Sequence, residues 1–198
     1  MKRIIIAIII LVLVAGLLGG TFAYFADDDP WAKPWRRWGT AVASERVQAE
    51  YHLRMSTLLF ANGVEKLFHH AGVGVGINYT AFWTVMLRYG NEPYRCYASQ
   101  AVMSQLLTPS CKYVKRLFAD RPVRAYLFRD TKRTLAVVWT PEDATAQPIR
   151  LVDPKLHIID IMGRHQAMQT FTPSETPVYV VGEDVSVEEF EKALSLGL

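Results

Sequence analysis

The sequence predicts an α+β fold in three parts: an apolar membrane or signal helix at the amino end, a mixed α/β segment, and a C-terminal antiparallel β-sandwich. Three observations carry this. Residues 4–26 hold no charged side chain and follow the basic pair Lys2-Arg3. From there to about residue 110, helical spacings alternate with a glycine-rich stretch. Beyond Pro109, short β-rich runs are separated by turn residues at close intervals. The expected boundaries are 1–26 for the signal anchor or signal peptide, 27–110 for the α/β segment, 111–183 for the sandwich and 184–198 for a short helical tail.

The run Ile4 to Leu18 is nearly all Ile, Leu, Val and Ala. About 20 such residues span a bilayer, whereas a cleaved signal peptide has a core of roughly 7–15 followed by small residues. Thr21 and Ala23 fit the second pattern and the uncharged length fits the first. Both place the body outside the cytoplasm, either membrane-anchored or secreted. Pro30 to Trp38, with two prolines and three tryptophans, reads as a loop. Ser44 then caps a helix over 45–61, in which Val47, Tyr51, Met55, Leu58 and Leu59 recur at helical spacing up to Asn62-Gly63. Residues 64–70 read as a strand, the glycines at 72, 74 and 76 as a loop, and a second helix runs from about Pro93 to Leu107.

Seven strands are expected after that, at 112–118, 123–129, 133–140, 148–152, 155–161, 166–171 and 176–182. Tyr126, Phe128, Leu135, Val137 and Trp139 are the expected core. Ser186 followed by Glu188 and Glu189 marks a capped tail helix. With 198 residues, 51% hydrophobic and 21% charged, the chain is too short for a complete (β/α)8 barrel, which needs about 250 residues. A net charge of +3 gives no reason to expect nucleic acid. Cys96 and Cys111 are separated by a helix that carries them apart, so free thiols are expected.

Two stretches carry a resemblance. "ERVQAEYHLRMSTLLFANGVEKLFHH" at 45–70 resembles the seventh helix and eighth strand of retaining (β/α)8-barrel glycoside hydrolases. "AYLFRDTKRTLAVVWT", "IIDIMGRHQ" and "ETPVYVVG" within 125–182 are similar to the small β-sandwich that follows that barrel. "YGNEPYRCYASQAVMSQLL" between them resembles the last barrel helix. The resemblance implies that residues 27–110 are a partial α/β barrel-end fragment. It also implies an exported or membrane-tethered glycoside-hydrolase-like fragment without catalysis by itself, or alternatively a carbohydrate-binding or scaffolding module at the cell surface.

The family's chemistry needs two carboxyl groups about 5–5.5 Å apart, one as nucleophile and one as acid and base. In the resembled enzymes these are glutamates at the ends of strands four and seven. Strand four is missing here, and no glutamate precedes Glu45. No catalytic residue is therefore assigned. His69 and His70 end the eighth-strand-like run, where one of them would face a sugar, or both are structural. Trp35 and Trp38, beside Trp31, Arg36 and Arg37, could stack on sugar rings or lie at a membrane interface. No cofactor and no metal is expected. Carbohydrate and, through residues 4–26, the membrane are the expected partners.

Overall fold

The computed structural model describes residues 44–68, 86–87 and 92–196. The chain divides into two compact units: Met1–Gln48 with His69–Arg95, and Ala49–Phe68 with Cys96–Leu198. In the first, Ser44 Oγ accepts the Val47 N–H at 3.2 Å, the N-cap that starts α1 (Glu45–Ala61). Its other described feature is an isolated antiparallel bridge between Leu87 and Pro93, where the Tyr94 N–H donates to the Met86 carbonyl at 2.9 Å.

The second unit holds the rest of α1, then α2 (Arg95–Leu106) from Cys96 onward, and β1 (Lys112–Leu117), β2 (Arg124–Arg129) and β3 (Arg133–Trp139). It continues with β4 (Ile149–Leu151), β5 (Leu156–Asp160), β6 (His165–Gln166), β7 (Thr170–Phe171) and β8 (Val178–Glu183). α3 (Val187–Ala193) and β9 (Leu194–Leu196) complete it. Two antiparallel sheets result, a six-stranded one in the order β1-β2-β3-β8-β5-β6 and a three-stranded one in the order β7-β4-β9.

Turn chemistry fixes the registers. The Asp160 carboxylate accepts the Met162 and Arg164 N–H groups at 2.8 and 2.9 Å and binds Arg164 Nε, while Gly163 takes the positive φ that closes the β5–β6 hairpin. Asp130 closes β2–β3 in the same way, accepting the Lys132 and Arg133 N–H groups. α1 ends in a Schellman motif: Gly63 has φ +86°, its N–H donates to the Phe60 carbonyl, and the Val64 N–H donates to that of Leu59. α3 begins with a complete capping box between Ser186 and Glu189.

Between the sheets, Ala125, Leu127, Ala136, Val138, Ile158 and Val180 from the larger sheet meet Ile149, Leu151 and Phe171 from the smaller one, with Phe190 of α3. Strand alternation places Tyr126, Phe128, Leu135, Val137 and Trp139 on the opposite face, where Phe128, Leu135, Val137 and Trp139 are buried as expected of core residues and Tyr126 is half-buried. Both sets are excluded from water in β3, where Thr134 to Trp139 are all buried, and burial on two sides leaves no polar alternation to tell the faces apart. α1 and α2 present buried polar and apolar side chains, Ser56, Thr57, Leu53, Ser99 and Met103 among them. They are tied to the strand connections: the Arg54 guanidinium donates to the Glu175 carbonyl, the Thr176 hydroxyl to Glu50, and Arg133 Nη2 to the Gln105 carbonyl.

Several expectations are corrected here. Among the described residues no helix is long and apolar enough to cross a membrane. The described helices have 17, 12 and 7 residues, and each carries charged side chains. The stretch 4–26 lies outside the described residues. Among the described residues the fold is α+β with two small antiparallel sheets and three short helices, which corrects the expected arrangement of membrane or signal helix, barrel-end fragment and sandwich. The membrane partner, the membrane-anchored or secreted placement and the membrane-tethered reading are corrected to this extent: no helix among the described residues could carry them. Residues 64–68 form no strand, having no ladder partner among the described residues to take up their backbone groups. The expected strand at 166–171 is two short ones in different sheets, and β9, within the expected helical tail, pairs with β4.

Candidate carbohydrate platform

The face of the six-stranded sheet turned away from the inter-sheet core becomes more exposed toward β1. Across one row of it, Leu135 and Phe128 are buried while Tyr113 is 36% exposed. In the next row Tyr179 and Val137 are buried and Tyr126 is half-buried. The open margin therefore belongs to β1 and β2.

Aromatic rings follow one another along that margin. Tyr126 stacks on Trp139 with centroids 5.3 Å apart and planes inclined by 20°. Tyr113 lies 6.4 Å from Tyr126 and packs edge-on against Phe128 at 5.6 Å. Such offset and edge contacts fix ring orientation. Trp139 and Phe128 are buried and act as a floor; Tyr113 and Tyr126 are the accessible members.

A β-bulge decides which basic residue joins them. Tyr113 pairs with Phe128, but the register shifts between Tyr113 and Lys115, so that Arg116 stands opposite Tyr126 and Lys115 opposite Leu127. Lys115 is thereby turned to the inner side, where it pairs with Glu191 of α3. Arg116 shares the face of Tyr126, and its guanidinium donates to the Arg121 and Val123 carbonyls at 3.2 and 3.5 Å. Arg124, two residues before Tyr126 on β2, shares the face as well.

At the far end of the sheet, the His157 and His165 rings stack at 5.1 Å. Burial, and then the neighbouring His165, hold the His157 pKa below the ordinary imidazole value. Among the described residues no group of three or more His, Cys, Asp or Glu side chains could hold a metal ion. Cys96 and Cys111 form no disulfide, and burial, followed by the charge of Asp130, pushes the Cys111 thiol up to about 11.

His69, His70, Trp35 and Trp38 lie outside the described residues. The platform was not among the expected site residues. Tyr126 and Trp139 stand out in the sequence as apolar strand residues, but their pairing with Tyr113 depends on a bulge that the alternation does not announce.

No family model matches the chain, and no curated protein matches it. Among solved structures it is similar to a GH30 endoxylanase from Clostridium papyrosolvens C71, with 12% identity, a TM-score of 0.33, and coverage of 65% of this chain and 38% of that one. This is a weak, partial likeness to a barrel glycoside hydrolase fold. The chain spans well under half of that enzyme's length.

Proposed function

We propose that the chain is a carbohydrate-binding module. The observation that supports this is the aromatic strip Tyr113–Tyr126–Trp139 at the open margin of the larger sheet, because sugar rings bury their C–H faces on aromatic side chains held in place by packing. The sequence resemblance to the closing part of retaining barrel glycoside hydrolases supplies the ligand class. The same resemblance leaves the chain without the paired glutamates of those enzymes, so hydrolysis of aryl glycosides is not expected of it. Trp35, Trp38, His69 and His70 are proposed as additional sugar contacts.

Affinity electrophoresis of the full chain through gels containing plant and microbial polysaccharides tests the proposal. At least one polysaccharide is expected to retard the protein, with retardation reduced by Tyr113→Ala and by Tyr126→Ala. Each exposed ring is expected to account for about a tenfold change in affinity, the scale of a contact at the centre of a binding surface. Unretarded migration through every gel overturns the reading. So does retardation that both substitutions leave intact.

A further inference from the structure

We infer that the ligand of this platform is an anionic sugar, one bearing a carboxylate or sulfate on the ring; the inference rests on the carbohydrate reading above. It comes from how charge is distributed around Tyr126. The basic residues nearby fall into two groups. Lys115 pairs with Glu191, Arg121 Nε with Asp120 at 3.4 Å, and Arg133 Nη2 with Asp130 at 3.2 Å. Arg116 and Arg124, the two next to Tyr126 on its own face, have no carboxylate partner among the described residues, and neither do Lys112 and Arg129 on the other face.

Arg116 is held in position by two carbonyls, which orient its guanidinium without neutralising it. Nη2 makes both of those bonds and Nε is buried without a partner among the described residues, which leaves Nη1 to meet a ligand. A guanidinium fixed in this manner offers that one charge-assisted donor to a carboxylate or sulfate at little further entropic cost. Arg124 adds a second positive charge at the same end of the ring, since Arg116 Nη2 bonds the Val123 carbonyl one residue before it. One aromatic surface for the sugar ring with two uncompensated guanidinium groups at its turn end is complementary to a ring that carries its own negative charge. A neutral sugar would leave both charges unanswered.

Titration calorimetry of the full chain with three probes tests this: a hexamer of galacturonate, a sulfated oligosaccharide of similar length, and a neutral cello-oligosaccharide. At low salt at least one acidic probe is expected to bind about tenfold or more tightly than the neutral one, the scale of a charge-assisted hydrogen bond. The ratio is expected to shrink as salt is raised. Arg124→Gln is expected to collapse the ratio, with a thermal melt confirming that the variant is folded. The galacturonate and sulfated arms identify which acid group is preferred. Equal affinity for acidic and neutral probes, both lost in Tyr126→Ala, overturns the anionic inference while the carbohydrate reading stands. An acidic preference that Arg124→Gln leaves untouched overturns it too. Binding of no probe, together with free migration through every polysaccharide gel, removes both.

Discussion

Replacing Tyr179 by phenylalanine should stabilise the protein. Tyr179 is fully buried in β8, paired with Val137 on one side and Ile159 on the other, and its hydroxyl has no hydrogen-bond partner among the described residues. A buried hydroxyl without a partner forfeits its hydration for nothing, at a cost of about 1–3 kcal/mol. Phenylalanine keeps the ring and removes the cost. The gain expected at neutral pH is about 1 kcal/mol at least, or a rise of roughly 3–6 °C in Tm for a unit of this size. Burial also pushes the Tyr179 phenol far above its ordinary value of 10.0. The folded state thus keeps the proton where the unfolded chain releases it, and the native state binds more protons than the unfolded one above about pH 10. Stability from this group is intact below that pH and falls as pH rises beyond it, by about 1.4 kcal/mol per unit. Tyr179→Phe escapes that loss, so its advantage over the wild type widens in alkali. Urea denaturation of both proteins at neutral pH and at two alkaline values measures the difference. A variant less stable than the wild type at neutral pH, or an advantage that does not grow above pH 10, would refute the reasoning.

Three further predictions concern the turns and the thiol. Gly63 and Gly163 both have positive φ, but a Cβ at Gly63 meets nothing within 4 Å whereas one at Gly163 comes to 3.1 Å from Val102 Cγ2. Gly63→Ala should therefore cost about 1 kcal/mol from backbone strain alone and Gly163→Ala clearly more, as read by paired denaturation curves. Burial acts to raise the Asp130 pKa, but the Lys132 and Arg133 N–H groups and the Arg133 guanidinium outweigh it and the value is lowered. Its stabilisation is then present above about 3.8 and is lost as pH falls through the folded value, so Asp130→Asn should be the less stable protein at pH 6 and the gap should narrow in acid. Cys111, with its thiol pushed up to about 11, should react with iodoacetamide at pH 8 far more slowly in the native protein than in denaturant; equal rates would contradict the burial.

Much of the strand order after residue 110 was legible in the sequence because the strands are short and their turns carry strong signals. Asp130 and Asp160 each sit where a side-chain oxygen can organise a hairpin, and β2, β3 and β5 fall within a residue or two of their expected limits. α1 was legible from its two ends, Ser44 and Asn62-Gly63. The face of β3 was not, because side chains on both sides of it are buried and the period of two leaves no polar mark. β9 was hidden for a different reason: Leu194 to Leu196 continues an apolar helical pattern, and its conformation is set by pairing with β4, more than 40 residues away in the chain. The platform combines both difficulties. Tyr113 and Tyr126 are visible as aromatic strand residues, yet only the bulge after Tyr113 brings Arg116 onto their face.

Backbone NMR of the full chain, titrated with the oligosaccharide that gives the strongest retardation, tests most directly whether the module binds sugar where its aromatic strip lies. The account predicts amide shifts concentrated at residues 113–116 and 124–128, together with the Trp139 indole, and little change in β4, β7 and β9. Shifts centred on the three-stranded sheet, or saturating binding that leaves Tyr113, Tyr126 and Arg116 unmoved, would contradict it.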